Sequence, residues 1–168
     1  MRGLPAWKRV VGLLCDSTEV FLAGFQTISG IASDFAARLD YVRPGTSFLG
    51  GKNGTFSELF AGTATNRALL LFEMQRYTRL SFQLVQGAKE ANIPMAIICD
   101  NHCYWARDFT DNVLPVSTES ELFWDSQAPF LTLTNLLLDD VIARQGKKVA
   151  KRVQEMRLLQ DRFEAFLD

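Results

Sequence analysis

The stretch from Arg67 to Asp100, RALLLFEMQRYTRLSFQLVQGAKEANIPMAIICD, decides the fold. Ala68 to Phe72 is an unbroken apolar run, Glu73 to Thr78 is a polar turn, and Leu80, Leu84, Val85 and Ala88 recur at helical spacing. A second apolar run, Met95 to Cys99, follows Pro94 and stops at Asp100. Short apolar runs suit strands buried on both faces, and parallel strands are joined through a helix, so the segment is expected to be a right-handed strand–helix–strand crossover. The carboxyl ends of its strands fall at Glu73 to Thr78 and at Asp100 to His102. Ligands of open α/β sheets bind at such ends. The first end leads straight into a helix, whose unpaired N–H groups and positive dipole end attract an anion.

Working outward, residues 4 to 15 are expected to form an amphipathic helix with Trp7, Val10, Val11 and Leu14 on one face, Pro5 being tolerated in its first turn. Val20 to Ala23 is the first strand. The turn Gly24 to Gly30 opens a helix running to about Asp40, with Ile31, Phe35, Ala36 and Leu39 facing inward. Thr27 and Ser29 in this turn, with the backbone beside Gln26, offer hydroxyl and N–H groups to a ligand. Ser47 to Leu49 reads as a short strand, Gly50 to Gly54 as a flexible loop, and Thr55 to Ala61 as a short helix. Asn112 to Val116 is the last strand, and Leu122-Phe123-Trp124 is expected to return to the core.

A long helix is expected from Asp125 to Gln145, capped by Asp125 or Ser126, with Pro129 in its first turn. Its apolar residues cover more than one stripe, so part of it is expected to meet another subunit. Gly146 ends it. The last helix carries Val149, Val153, Met156, Leu159, Phe163 and Phe166, a seam for packing on a neighbour.

With 168 residues the chain is the size of one domain, and 48% hydrophobic with 22% charged residues is a globular composition. Eighteen basic against 19 acidic side chains give a net charge of -1, which removes the electrostatic case for nucleic-acid binding by the domain as a whole. Three cysteines, Cys15, Cys99 and Cys103, show no metal-ligand spacing and read as reduced thiols of a cytoplasmic protein. No apolar run approaches the roughly 20 residues of a membrane span. No cofactor or metal is implied.

Candidate chemistry gathers at the strand ends. His102, the single histidine, stands where a general acid or base can sit, or is a plain loop residue. Glu119 can hydrogen-bond sugar hydroxyls or act as a base, or simply solvate its loop. Tyr104 and Trp105 can stack on a sugar face or pack at the rim. The basic group from Arg144 to Arg157 suits a solvated helix face. Glu73 differs, because a charge at the end of a buried strand is costly.

From about Val20 onward the chain resembles a SIS (sugar isomerase) domain, and most of all the effector domain of RpiR-type bacterial transcriptional regulators. LLLFEMQRYTRLSFQLVQGAKEANIPMAIICDN, ARDFTDNVLPVSTES and LFWDSQAPFLTLTNLLL carry the likeness. The resemblance implies an α/β, three-layer αβα, flavodoxin-like sandwich around a five-stranded parallel sheet, one domain over 1–168. It implies a homodimer that binds a sugar phosphate or related small carbohydrate through Gln26, Thr27, Ser29, Glu73, Gln75, Arg76, Thr78 and Glu119. It further implies contact with DNA only through an N-terminal helix-turn-helix domain, which this sequence is expected to lack, the helix at 4–15 standing where the linker would be. A sugar-phosphate isomerase using Glu119 or His102, and a degenerate domain kept for oligomerisation, are the alternatives.

The phosphate site departs from the family pattern. Gly24, Gln26 and Ile28 stand where the family has Gly-x-Gly-x-Ser, and Glu73 and Gln75 where it offers serines, while Arg76, Tyr77 and Thr78 fit. A Glu73 carboxylate repels a phosphate dianion. The site then takes an uncharged or cationic ligand, uses Arg76 or Arg79 to hold Glu73, or stands empty.

Overall fold

A computed structural model describes residues 1–51 and 55–166. The expected loop at 50–54 therefore falls partly outside the described residues. In chain order the elements are α1 (Pro5–Asp16), β1 (Glu19–Gly24), α2 (Ser29–Val42), β2 (Thr46–Leu49), α3 (Ser57–Phe60), β3 (Arg67–Glu73), α4 (Arg79–Glu90), β4 (Met95–Asp100), β5 (Val113–Val116), α5 (Ala128–Gln145) and α6 (Lys147–Arg162). Short 3₁₀ turns cover Gln26–Ile28 and Tyr104–Asp108.

The five strands form one sheet in the order β2-β1-β3-β4-β5, every neighbouring pair parallel. The strands are apolar on both faces because both faces are covered. Leu22, Leu70, Phe72, Ile98 and Leu114 point into a core shared with α1, α2 and α5, built around Trp7, Phe35 and Phe130. Their neighbours Phe21, Leu69, Leu71, Ile97 and Cys99 point the other way, into a core completed by Leu59 of α3 and Leu84 and Val85 of α4. The result is the expected three-layer αβα, flavodoxin-like arrangement. The helix near the N-terminus is part of one layer: Trp7 is buried and its Nε1 donates to Asp140 of α5 at 2.6 Å.

The strand order reverses between β1 and β3, which opens a crevice at their carboxyl ends, the place where doubly wound sheets hold ligands. The register brings Gly24 opposite Phe72, Glu73 opposite Cys99, and Asp100 opposite Val116, so the carboxyl ends of these four strands form one rim, with Glu73 and Asp100 as its charged side chains. At Gly24 an added Cβ would lie 3.0 Å from Ala32 Cβ and 3.3 Å from Ile28 O. Glycine there lets α2 descend directly onto the end of β1.

Two expectations at the rim are corrected. Leu122, Phe123 and Trp124 do not return to the core; they are 72%, 93% and 74% exposed. Ser126 N–H donates to Thr118 O at 2.9 Å, closing a loop whose tip carries these three residues outward. The same bond moves the start of α5: Gln127 is the N-cap and makes no side-chain capping bond, while Ser126 Oγ accepts the Ala128 N–H at 3.3 Å. Asp125 and Ser126 belong to the loop base rather than to the helix. The expected helix at 55–61 is the single turn Ser57–Phe60.

Candidate functional site

The turn after β1 is shaped by Gln26, which takes φ +54°, a left-handed conformation that glycine adopts more cheaply. Ser29 Oγ donates to Gln26 O at 2.6 Å, so this hydroxyl is engaged within the turn. The Thr27 side chain is exposed.

Across the crevice, Glu73 is buried at 1% exposure. Its Oε1 accepts the Met74 N–H at 3.1 Å and its Oε2 the Thr78 N–H at 3.5 Å. Burial pushes the Glu73 carboxyl pKa up; the Ser81 hydroxyl and the two backbone donors pull against that, and Asp100 adds to the rise. Arg76 and Arg79 do not hold Glu73: among the described residues neither pairs with a carboxylate, and both are exposed. Thr78 is the N-cap of α4, its Oγ1 accepting the Ser81 N–H at 3.0 Å and sharing a hydrogen bond with Ser81 Oγ at 2.9 Å. Thr78→Ala is expected to lower stability by about 1–2 kcal/mol, since it removes the cap and one partner of the buried Ser81 hydroxyl, which keeps its bond to Glu73; thermal melts check this.

The residue that organises the turn is Asp100, which the sequence reading treats only as a strand end. Its Oδ2 accepts the Gln75 N–H at 2.7 Å, and its Oδ1 accepts the Tyr77 hydroxyl at 2.7 Å and the His102 N–H at 2.9 Å. Burial first, then the bond to Asp100, hold the Tyr77 phenol far above its ordinary range, so it remains a donor. A carboxylate directly after a fully apolar strand was the available signal, the same one that singled out Glu73. Trp105 sits in an aromatic cluster with Tyr77, Phe82 and Phe109, whereas Tyr104 is exposed.

Glu119 lies on the loop after β5, and its Oε1 is 3.5 Å from His102 Nε2. Sequence reading offers these two as alternatives; the fold puts them side by side, both open to solvent. Among the described residues no group of three potential metal ligands occurs and all three cysteines are free thiols. No described helix is long and apolar enough to cross a membrane.

No family model and no curated relative matches the chain by sequence. Solved structures do match. The sugar isomerase domain of an RpiR transcription factor from Sphaerobacter thermophilus superposes with a TM-score of 0.83 at 20% identity, over 92% of this chain and 87% of that one. The fold is that of a SIS domain. A putative phosphosugar isomerase involved in capsule formation from Bacteroides fragilis gives 0.74 at 18% identity, covering 89% of this chain and 85% of that chain. The Vibrio vulnificus NanR protein, complexed with ManNAc-6P, gives 0.78 at 13% identity over 94% of this chain and 61% of its own. At these identities the likeness is one of fold, and the SIS fold here carries its own turn chemistry: the N–H groups of Met74 and Thr78 already have an acceptor, the carboxyl group of Glu73.

Proposed function

We propose that this SIS-fold chain is a carbohydrate-derivative sensor of the RpiR regulator type, binding a phosphorylated sugar without converting it. The observation that carries the reading is the occupied turn. Glu73 fills the anion position at the start of α4, so a phosphate has to stand further out, against the unpaired guanidinium groups of Arg76 and Arg79. Gln26, Thr27, Ser29, Gln75, Thr78 and Glu119 then surround the sugar hydroxyls. Neighbours of the same fold include a NanR protein holding ManNAc-6P and an RpiR transcription factor, which supports this choice of ligand class and of role. In this reading the domain works as a homodimer in the cytoplasm, and DNA is contacted by a separate domain.

A thermal-shift screen of sugar phosphates, amino-sugar phosphates and the matching free sugars tests this. A phosphorylated hit at about 100 times its Kd is expected to add about 2.7 kcal/mol of stability, a rise of several degrees. Arg76→Ala with Arg79→Ala is expected to remove the shift. Stabilisation by free sugars alone, or no hit, overturns the reading.

A second reading rests on the His102–Glu119 approach of 3.5 Å, which supplies a donor–acceptor pair for proton transfer on a carbonyl sugar. Turnover of a phosphorylated hit into its aldose or ketose partner, abolished by Glu119→Gln, decides for an isomerase.

A further inference from the structure

The 3₁₀ turn after β4, Tyr104–Asp108, sends two neighbouring rings in different directions. Trp105 turns inward to Tyr77, Phe82 and Phe109, whereas Tyr104 is 76% exposed on the rim, its ring edge to face with the His102 imidazole at 6.5 Å. His102 in turn faces Glu119 of the β5 loop at 3.5 Å. An aromatic plate, an imidazole and a carboxylate thus gather where two adjacent strands end. The backbone that carries the plate is tied down: Tyr104 N–H donates to His102 O at 2.9 Å, and Cys103 N–H donates to Asp100 O at 3.4 Å.

One carboxylate steadies this loop and the turn that bears Arg76 together. Asp100 Oδ1 accepts the His102 N–H, while Oδ2 accepts the Gln75 N–H and Oδ1 the hydroxyl of Tyr77, on either side of Arg76. The Tyr104 plate and the guanidinium end of the crevice are therefore held at a set separation. A rigid ligand with an anionic group at one end and a flat face at the other meets such an arrangement with little loss of freedom, whereas a flexible chain has to be ordered first. A pyranose has that face in its ring C–H groups, which suit an exposed aromatic plate, and it offers ring hydroxyls to His102 and Glu119. An open-chain sugar has no flat face. We propose that Tyr104 is the specificity-determining residue that selects the closed-ring form of the ligand, stacking on the C–H face of a phosphorylated pyranose. In the closed ring the carbonyl carbon is masked as a hemiacetal and the neighbouring proton is not acidified, so binding proceeds without conversion. That role rests on the ligand class proposed above.

The test sets sugars that cannot open against sugars that cannot close. The 6-phosphates of methyl glucoside, methyl mannoside and methyl galactoside stay rings, and those of glucitol, mannitol and galactitol stay chains. Binding is read from the imidazole NMR signals of His102, the single histidine of the chain. At least one methyl glycoside phosphate is expected to bind about tenfold or more tightly than its alditol partner. Tyr104→Ala is expected to erase that preference and Tyr104→Phe, which keeps the ring, to retain it; circular dichroism confirms that both variants are folded. Alditol phosphates that bind as well as the methyl glycosides, or a preference that survives Tyr104→Ala, overturn the proposal and leave the ligand class standing. The unphosphorylated methyl glycosides and alditols, at high concentration, repeat the comparison without the anion. A ring preference there that depends on Tyr104 upholds the platform even where no phosphorylated sugar binds, and the absence of any response of His102 to the closed rings overturns it.

Discussion

Asp100→Ala is expected to lose about 3–5 kcal/mol of stability, a fall in Tm on the order of 10 °C for a domain of this size. The carboxylate receives three hydrogen bonds, from Gln75 N–H, Tyr77 Oη and His102 N–H, all between 2.7 and 2.9 Å. Bonds to an ionised acceptor are the stronger kind, and removing the acceptor leaves three donors in a site that is itself only 2% exposed. Asp100→Asn keeps the shape but turns an amide donor toward at least one existing donor, so a loss of about half that size is expected. Because Gln75 and Tyr77 lie in the turn between β3 and α4, the same changes free that turn from the end of β4. Ligand stabilisation in the thermal-shift screen is therefore expected to fall in Asp100→Asn as well. A ligand response in Asp100→Asn equal to that of the unaltered chain would show that Asp100 supports the fold without positioning the turn.

The layered fold was legible because it depends on local patterns that the structure respects. Apolar runs at 68–72 and 95–99 bounded by polar turns become β3 and β4, and the spacing of Leu84, Val85 and Ala88 becomes the buried face of α4. Apolarity alone does not say whether the short segment Leu122 to Trp124 points inward; the Ser126–Thr118 bond, which turns it outward, joins residues on either side of the segment. The site was half legible for a similar reason. A charge after an apolar strand marks Glu73 and Asp100 equally, but the clamp role of Asp100 arises from donors 23 and 25 positions earlier in the chain. His102 and Glu119 likewise lie on different loops, and only the pairing of β4 with β5 brings them to 3.5 Å.

Glu73→Ser is expected to tighten binding of a phosphorylated sugar about 30- to 200-fold, equivalent to relieving about 2–3 kcal/mol of repulsion between two anions in a poorly screened crevice. The serine also releases the Met74 and Thr78 N–H groups, which then face the ligand at the start of α4. The pH dependence gives an independent check. Glu73 has its folded pKa raised, so between the unfolded value and that raised value the folded state binds the extra proton. Its contribution to stability is thus complete below the unfolded pKa, about 4.3, and is lost as pH rises through the folded pKa. Relative to the unaltered chain, Glu73→Ser is expected to gain in Tm as pH rises from about 4 toward neutrality and to level off above the folded pKa. Ligand affinity follows the same logic: the unaltered chain binds less well as Glu73 ionises, whereas Glu73→Ser lacks that component and shows only the titration of the phosphate itself. A Tm difference independent of pH, or a phosphorylated ligand bound no better by Glu73→Ser, would mean that the Glu73 carboxyl does not hold the anion position of this turn.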